Sequence, residues 1–336
     1  MFQEVINKLY RRQDLTVAEA EATMSEVMEG RATPAQIAGV LVGLAMKGER
    51  PSEIVGLART MRAHAVKTSR LFDDTFDTCG TGGDGSHTFN VSSLAAIVLA
   101  ACGVRVAKHG NRSVSSKCGS ADLFEALGVA VTASPNVVEH CLQEVGIAFF
   151  FAPTFHPSMR HAAPTRRELG VRTAFNLLGP LTNPAGSRRQ VVGVPRPDLT
   201  DLIARVLGLL GSECAWVVHG ADGLDEISTT GPTKVSEVRG NTLTTFYLHP
   251  SEFGLRASEL TSLQVEGLDD SVEIAHEVLN GHPGPAREFV LANTAAGLVV
   301  AGRVPSLRSG MEQAAEAIDS GRASVVLQRM VANSQG

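Results

Sequence analysis

The chain has 336 residues, 43% hydrophobic and 19% charged, an ordinary globular composition with room for one large domain and a smaller one. Its formal net charge of -5 argues against general nucleic-acid binding, and no apolar run is long enough to span a bilayer. The five cysteines, Cys79, Cys102, Cys118, Cys141 and Cys214, form no C-x-x-C pair, and the amphipathic opening M-F-Q-E-V-I-N-K-L-Y-R-R lacks the apolar centre of a secretion signal, which together point to reduced thiols in a cytoplasmic protein.

The first seventy or so residues read as helix only. Thr16-Val-Ala-Glu19 is a capping box and predicts a helix that stops at Gly30. Thr33-Pro-Ala-Gln36 is a second capping box with Pro34 at the first helical position, and its helix ends near Gly48. A third helix is expected over about 52–65, and the polar stretch Val66 to Asp74 reads as a linker. After Phe76 strands and helices alternate, which predicts a mostly parallel α/β domain. A short strand runs into D-T-C-G-T-G-G-D-G, Asp77 to Gly85, and the helix V-S-S-L-A-A-I-V-L-A-A-C-G follows. V-R-V-A-K-H-G reads as a strand, A-D-L-F-E-A-L-G as a helix, Ser134-Pro135 as a helix start and I-A-F-F-F-A-P as a buried strand. Met159 to Leu169 is expected to be one helix; Q-V-V-G-V, C-A-W-V-V-H-G and T-K-V-S-E-V are the later strands, and the last sixty-odd residues return to helix. The fold class is therefore α/β, a small N-terminal helical domain followed by a large domain with a mostly parallel sheet.

A strand entering a glycine loop and then a helix is an anion site, because glycines let the backbone approach a phosphate and the helix start supplies free N–H groups. The plainer alternative is a tight loop with no ligand. Gly80-x-Gly82-x-x-Gly85 matches the dinucleotide pattern, which also needs an acidic side chain at the end of the second strand to hold a ribose diol. That strand ends instead in Lys108-His109-Gly110-Asn111-Arg112, and no lysine follows the loop as a Walker motif requires. Lys108, Arg112 and Lys117 are candidate phosphate ligands, with Ser113, Ser115, Ser116 and Ser120 as hydroxyl donors. A ligand with several phosphates calls for a hard cation, and A-D-G-L-D-E at the end of another strand offers Asp225 and Glu226, with Asp222 nearby and Ser92 as a further oxygen.

These residues resemble the anthranilate phosphoribosyltransferases. The resemblance covers essentially the whole chain and rests on D-T-C-G-T-G-G-D-G, F-N-V-S, K-H-G-N-R, K-C-G-S-A-D-L-F-E-A-L-G, F-N-L-L-G-P-L-T-N-P and H-G-A-D-G-L-D-E-I-S in that order. Nucleoside phosphorylases share a glycine loop and the general architecture, but are not expected to carry K-H-G-N-R together with G-P-L-T-N-P. A non-catalytic, nucleic-acid-binding relative is disfavoured by the intact motifs and the negative charge. The resemblance implies transfer of phosphoribose from 5-phosphoribosyl 1-pyrophosphate to the amine of anthranilate, two Mg²⁺ ions per subunit and a homodimer built through the helical module. It implies a division into residues 1–70 with 160–178, helical and dimerising, and 73–158 with 179–336, α/β and catalytic. It assigns Gly80, Thr81, Gly82, Gly83, Asp84, Thr88, Asn90, Val91, Ser92, Lys108 and Ser120 to the donor. Gly80, His109, Asn111 and Arg166 fall to anthranilate, with His156, Pro157 and Pro180 walling the acceptor tunnel; Ser92, Asp225 and Glu226 fall to the metal. A guanidinium suits a carboxylate, and adjacent Arg166 and Arg167 point about 100° apart on a helix, so only one faces the site. His109 is either a general base or a neutral positioning group. His87 stands at a loop position where variation is expected, and neither Cys79 nor Cys118, the latter in place of a commoner serine, has a sequence-level case for catalysis.

Overall fold

The computed structural model describes residues 1–70, 72–113, 118–240 and 242–336. Four helices come first: α1 (Phe2–Tyr10), α2 (Val17–Met28), α3 (Pro34–Lys47) and α4 (Pro51–Ala63). Both capping boxes form, Thr16 accepting from the Glu19 N–H at 3.2 Å and Thr33 from the Gln36 N–H at 3.3 Å. The helices α2 and α4 pack closely because Gly56 leaves no side chain between them; a Cβ there would lie 2.6 Å from that of Ala20.

The sheet has strands β1 (Thr75–Gly80), β2 (Arg105–Gly110), β3 (Ile147–Phe151), β4 (Arg189–Gly193), β5 (Cys214–Gly220), β6 (Thr233–Arg239) and β7 (Thr242–Leu248), in the spatial order β3-β2-β1-β4-β5-β6-β7. The first five are parallel to their neighbours, while β6 and β7 run antiparallel. T-L-T-T-F-Y-L, the edge strand β7, escaped the sequence reading because one flank of it faces water and its hydroxyl-rich pattern resembles a loop. The remaining helices are α5 (Val91–Ala101), α6 (Ser120–Ala126), α7 (Pro135–Val145), α8 (Ala152–Phe155), α9 (Ala163–Leu169), α10 (Ala174–Leu178), α11 (Asp198–Leu209), α12 (Leu268–Leu279), α13 (Pro285–Val300), α14 (Leu307–Asp319) and α15 (Arg322–Ser334). The single helix expected over Met159 to Leu169 is two pieces, a 3-10 turn Pro157–His161 and then α9, because Pro164 lacks the N–H that a continuous helix needs.

Two apolar clusters cover the two sheet faces. On one, α5, α7 and α13 to α15 bury Phe76, Val191, Trp216 and Val218. On the other, α1 to α4, α10 and α11 join Val192, Ala215 and Val217 in one continuous core. The alternation Trp216, Val217, Val218 between the faces is the period of two of a strand buried on both sides. The chain runs β1 to β2 to β3 in one direction and restarts at β4 on the other side of β1, so the crevice beyond the carboxyl ends of β1 and β4 is the topological switch point, where open α/β sheets bind ligands.

Candidate active site

The glycine loop leaves β1 at this switch point. Gly82, Gly83 and Gly85 have φ of 66°, 80° and 70°, a region side chains rarely adopt. Gly80 has no room for a side chain, since a Cβ would lie 2.3 Å from Asp225 Oδ2. Thr81 N–H donates to the Gly193 carbonyl at 2.9 Å, and Gly82 N–H donates to Asp225 Oδ2 at 2.9 Å. The far side of the loop is pinned to residues 263–265: Val265 N–H donates to the His87 carbonyl, and the Gln264 amide to the Ser86 carbonyl, both at 2.9 Å. His87 is held left-handed at φ 57°, which histidine tolerates better than bulkier residues. Thr88 pairs with Gln264, and Asn90 begins α5 while its amide donates to the Cys118 carbonyl at 3.1 Å. Val91 and Ser92 form the first turn of α5, directly after the loop.

Beyond β5 the acidic turn divides. Asp222 faces its own turn, accepting from Leu224 N–H at 3.2 Å, Ser228 Oγ at 2.5 Å and the Thr230 hydroxyl, so it stands apart from the crevice. Asp225 and Glu226 line the crevice floor: their surfaces are partly open, yet protein encloses them as in an interior. Burial, then the Asp84 charge, raises the Asp225 carboxyl above the ordinary carboxylate range, while the Gly82 N–H and the Arg172 cation favour its ionised form. Burial and Asp225 push Glu226 well above the usual range, while Lys108 and the Ser92 hydroxyl favour its ionised form. Among the described residues no three His, Cys, Asp or Glu side chains converge as a metal-ligating set. Two carboxylates and a hydroxyl are hard oxygen donors that fit Mg²⁺, which characteristically uses one or two carboxylates and completes its shell with water and substrate phosphate.

The end of β2 supplies the third wall. Lys108 is 2% exposed and forms no ion pair within 4 Å among the described residues. The buried Asp77 of β1 holds this strand end, accepting from His109 N–H at 3.2 Å and from Asn183 Nδ2 at 2.7 Å. His109 Nδ1 lies 3.0 Å from the Gly179 carbonyl; because a carbonyl only accepts, Nδ1 carries the proton and the unpartnered Nε2 presents a lone pair. Burial lowers the His109 pKa to about 3 and that of His156, whose ring lies 5.3 Å away, to about 4, so both are neutral. The Pro180 carbonyl accepts from Gln190 at 2.9 Å, which fixes the turn bearing Gly179. Arg166 is partly buried with its guanidinium 5.3 Å from the Phe175 ring, whereas Arg167 is exposed.

Some candidate side chains are already engaged by the protein itself. Asn111 is exposed, its Oδ1 taken by Arg112 N–H at 2.8 Å, while its carbonyl receives Ala121 N–H at 3.2 Å and Ser120 Oγ at 3.4 Å. Arg112, expected to serve a phosphate, pairs instead with Glu125 at 2.7 Å and Asp122 at 3.0 Å. Ser115, Ser116 and Lys117 lie outside the described residues. Burial pushes the thiols up, Cys79 well above its ordinary value and Cys118 to about 11, which leaves neither as a nucleophile at neutral pH.

Two features went unmarked in the sequence. One is the Asp77–Asn183 pair beneath β2, whose members are 106 positions apart. The other is Arg172, which lies across the glycine loop: Nη1 occupies the place of a Cβ on Gly83, 1.6 Å from it, and Nη2 is 3.5 Å from the Thr81 carbonyl. Around the same crevice Thr81 Oγ1, Asn90 Oδ1 and His109 Nε2 are buried without hydrogen-bond partners, the pattern expected where a ligand completes a polar site.

Family models match the chain in two parts, the helical bundle domain of a glycosyl transferase family over residues 3–65 and its a/b domain over residues 73–324. The chain is 52% identical to the anthranilate phosphoribosyltransferase of Moorella thermoacetica, covering 99% of this chain and 98% of that one. The crystal structure of anthranilate phosphoribosyltransferase from Thermus thermophilus superposes with a TM-score of 0.92 at 43% identity, over 99% of both chains. The Saccharomyces cerevisiae anthranilate phosphoribosyltransferase, 27% identical, matches with a TM-score of 0.91 in complex with PRPP and Mg, over 99% of this chain and 98% of that one. In complex with 4-fluoroanthranilate it matches with a TM-score of 0.87, over 100% of this chain and 99% of that one.

Proposed function

The chain belongs to the anthranilate phosphoribosyltransferase family, and on that premise we propose how its residues divide the reaction between them. The enzyme transfers the phosphoribosyl group of 5-phosphoribosyl 1-pyrophosphate to the amine of anthranilate, giving N-(5-phosphoribosyl)anthranilate and pyrophosphate, the second step of tryptophan synthesis from chorismate.

The donor lies in the glycine loop. Gly80 to Gly83 and the start of α5, with Thr88, Asn90, Val91 and Ser92, hold its pyrophosphate and ribose; Asp84 takes a ribose hydroxyl or the metal-linked network, and Lys108 and Ser120 close the phosphate side. The observation that carries this reading is the Asp225 oxygen 2.9 Å from Gly82 N–H: the loop amide already holds an anion, and the anion is a carboxylate able to bind metal. Asp225, Glu226 and Ser92 would hold Mg²⁺, whose use the PRPP and Mg complex of the yeast relative supports, and the assignment calls for two ions per subunit. Bound there, Mg²⁺ supplies Lewis-acid stabilisation of the charge on the leaving pyrophosphate.

The acceptor lies on the His109 side. Arg166, partly buried and without an acidic partner among the described residues, takes the anthranilate carboxylate in a two-point pairing. His109 Nε2 accepts from the acceptor's amine and aims it at the ribose; with a pKa near 3 it is too weak a base to remove a proton at neutral pH. Gly80 and Asn111 complete the acceptor site, with His156, Pro157 and Pro180 as its wall. Positioning of the amine supplies much of the acceleration. Replacing Arg166 by alanine is expected to raise the KM for anthranilate at least ~10-fold with little change in that for the donor; equal effects on both substrates would remove Arg166 from the carboxylate.

The helical unit, 1–70 with 160–178, serves as the dimerising domain, and 73–158 with 179–336 as the catalytic one. Tyr10 at 86% and Met46 at 73% exposure, on the packed helices α1 and α3, support an interface there. Five cysteines, all in the thiol form, support a reducing, cytoplasmic location.

A further inference from the structure

We propose that Arg172 is a donor-contacting residue whose guanidinium binds the leaving pyrophosphate from above the glycine loop; this rests on the assignment of that loop to the donor. Its backbone is fixed on both sides. Gly170, at φ 61°, ends α9, and Thr173, buried at 5% exposure, caps α10 with its N–H on Asn176 Oδ1 at 2.9 Å. From this anchor the side chain crosses to the loop, where Nη1 fills the space that a side chain on Gly83 would need. The glycine at position 83 thus serves two ends, a left-handed φ of 80° and clearance for a cation.

The guanidinium is poised without being spent. Its one hydrogen bond among the described residues, to the Thr81 carbonyl at 3.5 Å, is at the weak limit, and it forms no ion pair within 4 Å there. Asp84 and Asp225 are close enough to act on its charge, so it belongs to the same electrostatic site as the loop. Lys108 stands at the end of β2, and a pyrophosphate seated on the loop would meet a cation from each side. A planar fork of N–H donors also suits two phosphate oxygens better than an ammonium does.

The contact gains importance as the reaction proceeds. The bond between ribose C1 and the pyrophosphate oxygen breaks with its electron pair going to that oxygen. The anthranilate nitrogen closes the new bond to C1 with its lone pair, and the nitrogen's proton passes to water. Negative charge therefore grows on the group beneath Arg172, and a fixed cation there favours the transition state over the ground state.

The test is to measure, in the full-length protein with Mg²⁺, the dissociation constants of 5-phosphoribosyl 1-pyrophosphate and of pyrophosphate for the wild type, Arg172→Ala and Arg172→Lys, alongside steady-state kinetics. Loss of a charged hydrogen-bonding group is expected to weaken both ligands ~10- to 100-fold in Arg172→Ala and to lower kcat, with the anthranilate KM within about twofold and a partial return in Arg172→Lys. Circular dichroism of the variants separates this from loss of folding. Unchanged affinities in both variants, or a changed Mg²⁺ affinity with unchanged donor affinity, would overturn the role of Arg172 and leave it as a counter-charge to Asp84 and Asp225. Failure of the wild type itself to bind the donor would instead overturn the assignment of the loop.

Discussion

His109 and His156 show how single side chains in this site are set by burial. Both rings are enclosed, and their pKa values fall from an ordinary 6.5 to about 3 and about 4. A group whose folded pKa is depressed in this way binds its proton more readily in the unfolded chain, so stability is lost as the pH falls from 6.5 toward those values. At pH 5, one and a half units below 6.5, each is expected to cost about 2 kcal/mol. Thermal melts between pH 7 and 5 of the wild type and of His109→Gln with His156→Gln check this: the double variant is expected to lose less stability over that range, and parallel curves would contradict neutral, enclosed imidazoles. The sequence placed His109 at the end of a strand beside Lys108 but left its role open between base and positioning group. The missing information was the Gly179 carbonyl, 70 positions away, which fixes the tautomer. Arg172 was equally illegible, because nothing local to V-R-T points to the glycine loop until the turn between α9 and α10 brings it over Gly83. Arg112 shows the opposite failure: a cation in a basic motif whose partners, Glu125 and Asp122, lie just ahead on α6.

At the scale of elements, the glycine loop and the acidic turn are one device. A Cβ on Gly193, at the end of β4, would lie 1.5 Å from the Asp225 carbonyl, and one on Gly80 would meet the Asp225 carboxylate at 2.3 Å. These two strand ends are glycine so that the turn carrying Asp225 and Glu226 can lie directly upon them. Replacing Gly193 by alanine must move backbone, and overpacking of this kind costs about 1–3 kcal/mol. Such a variant is expected to fold with a lower melting temperature and to need more Mg²⁺ for half-maximal activity. By contrast Gly146→Ala, at a helix end with φ 85° and no neighbour within 4 Å, is expected to lose stability alone, with its Mg²⁺ requirement unchanged. A Mg²⁺ titration of both variants checks this, and equal Mg²⁺ dependence would separate Gly193 from the metal site. The capping boxes, the glycine loop and the buried strands were all legible, since each is specified by residues within a few positions. The contact between loop and turn joins residues 143 positions apart, Gly82 and Asp225, and only the parallel order of β1, β4 and β5 brings it about.

At the scale of the molecule, the helical unit and the sheet meet where the acceptor is expected to bind. Arg62 of α4 donates from Nε to the Leu181 carbonyl at 2.6 Å and from Nη1 to the Leu210 carbonyl at 3.4 Å; burial lowers its pKa to about 10. Leu181 belongs to the same turn as Gly179, so the position of α4 bears on the group that orients His109. On the proposed assignment, donor elements come from the sheet and acceptor elements from the junction with the helices, which would give two substrates separate walls and one meeting point. Two-unit organisation was legible as the change from helix-only to alternating texture. No local pattern records that Ala174 to Leu178 returns to the helices; only the family resemblance, which puts 160–178 with the helical unit, points to it. The most direct measurement is to follow anthranilate fluorescence in the purified protein with 5-phosphoribosyl 1-pyrophosphate and Mg²⁺. Fluorescence is expected to fall in step with pyrophosphate release and to stay constant when the donor or Mg²⁺ is withheld. Constant fluorescence in the complete mixture, with the donor bound and intact, would contradict the transfer of phosphoribose to anthranilate.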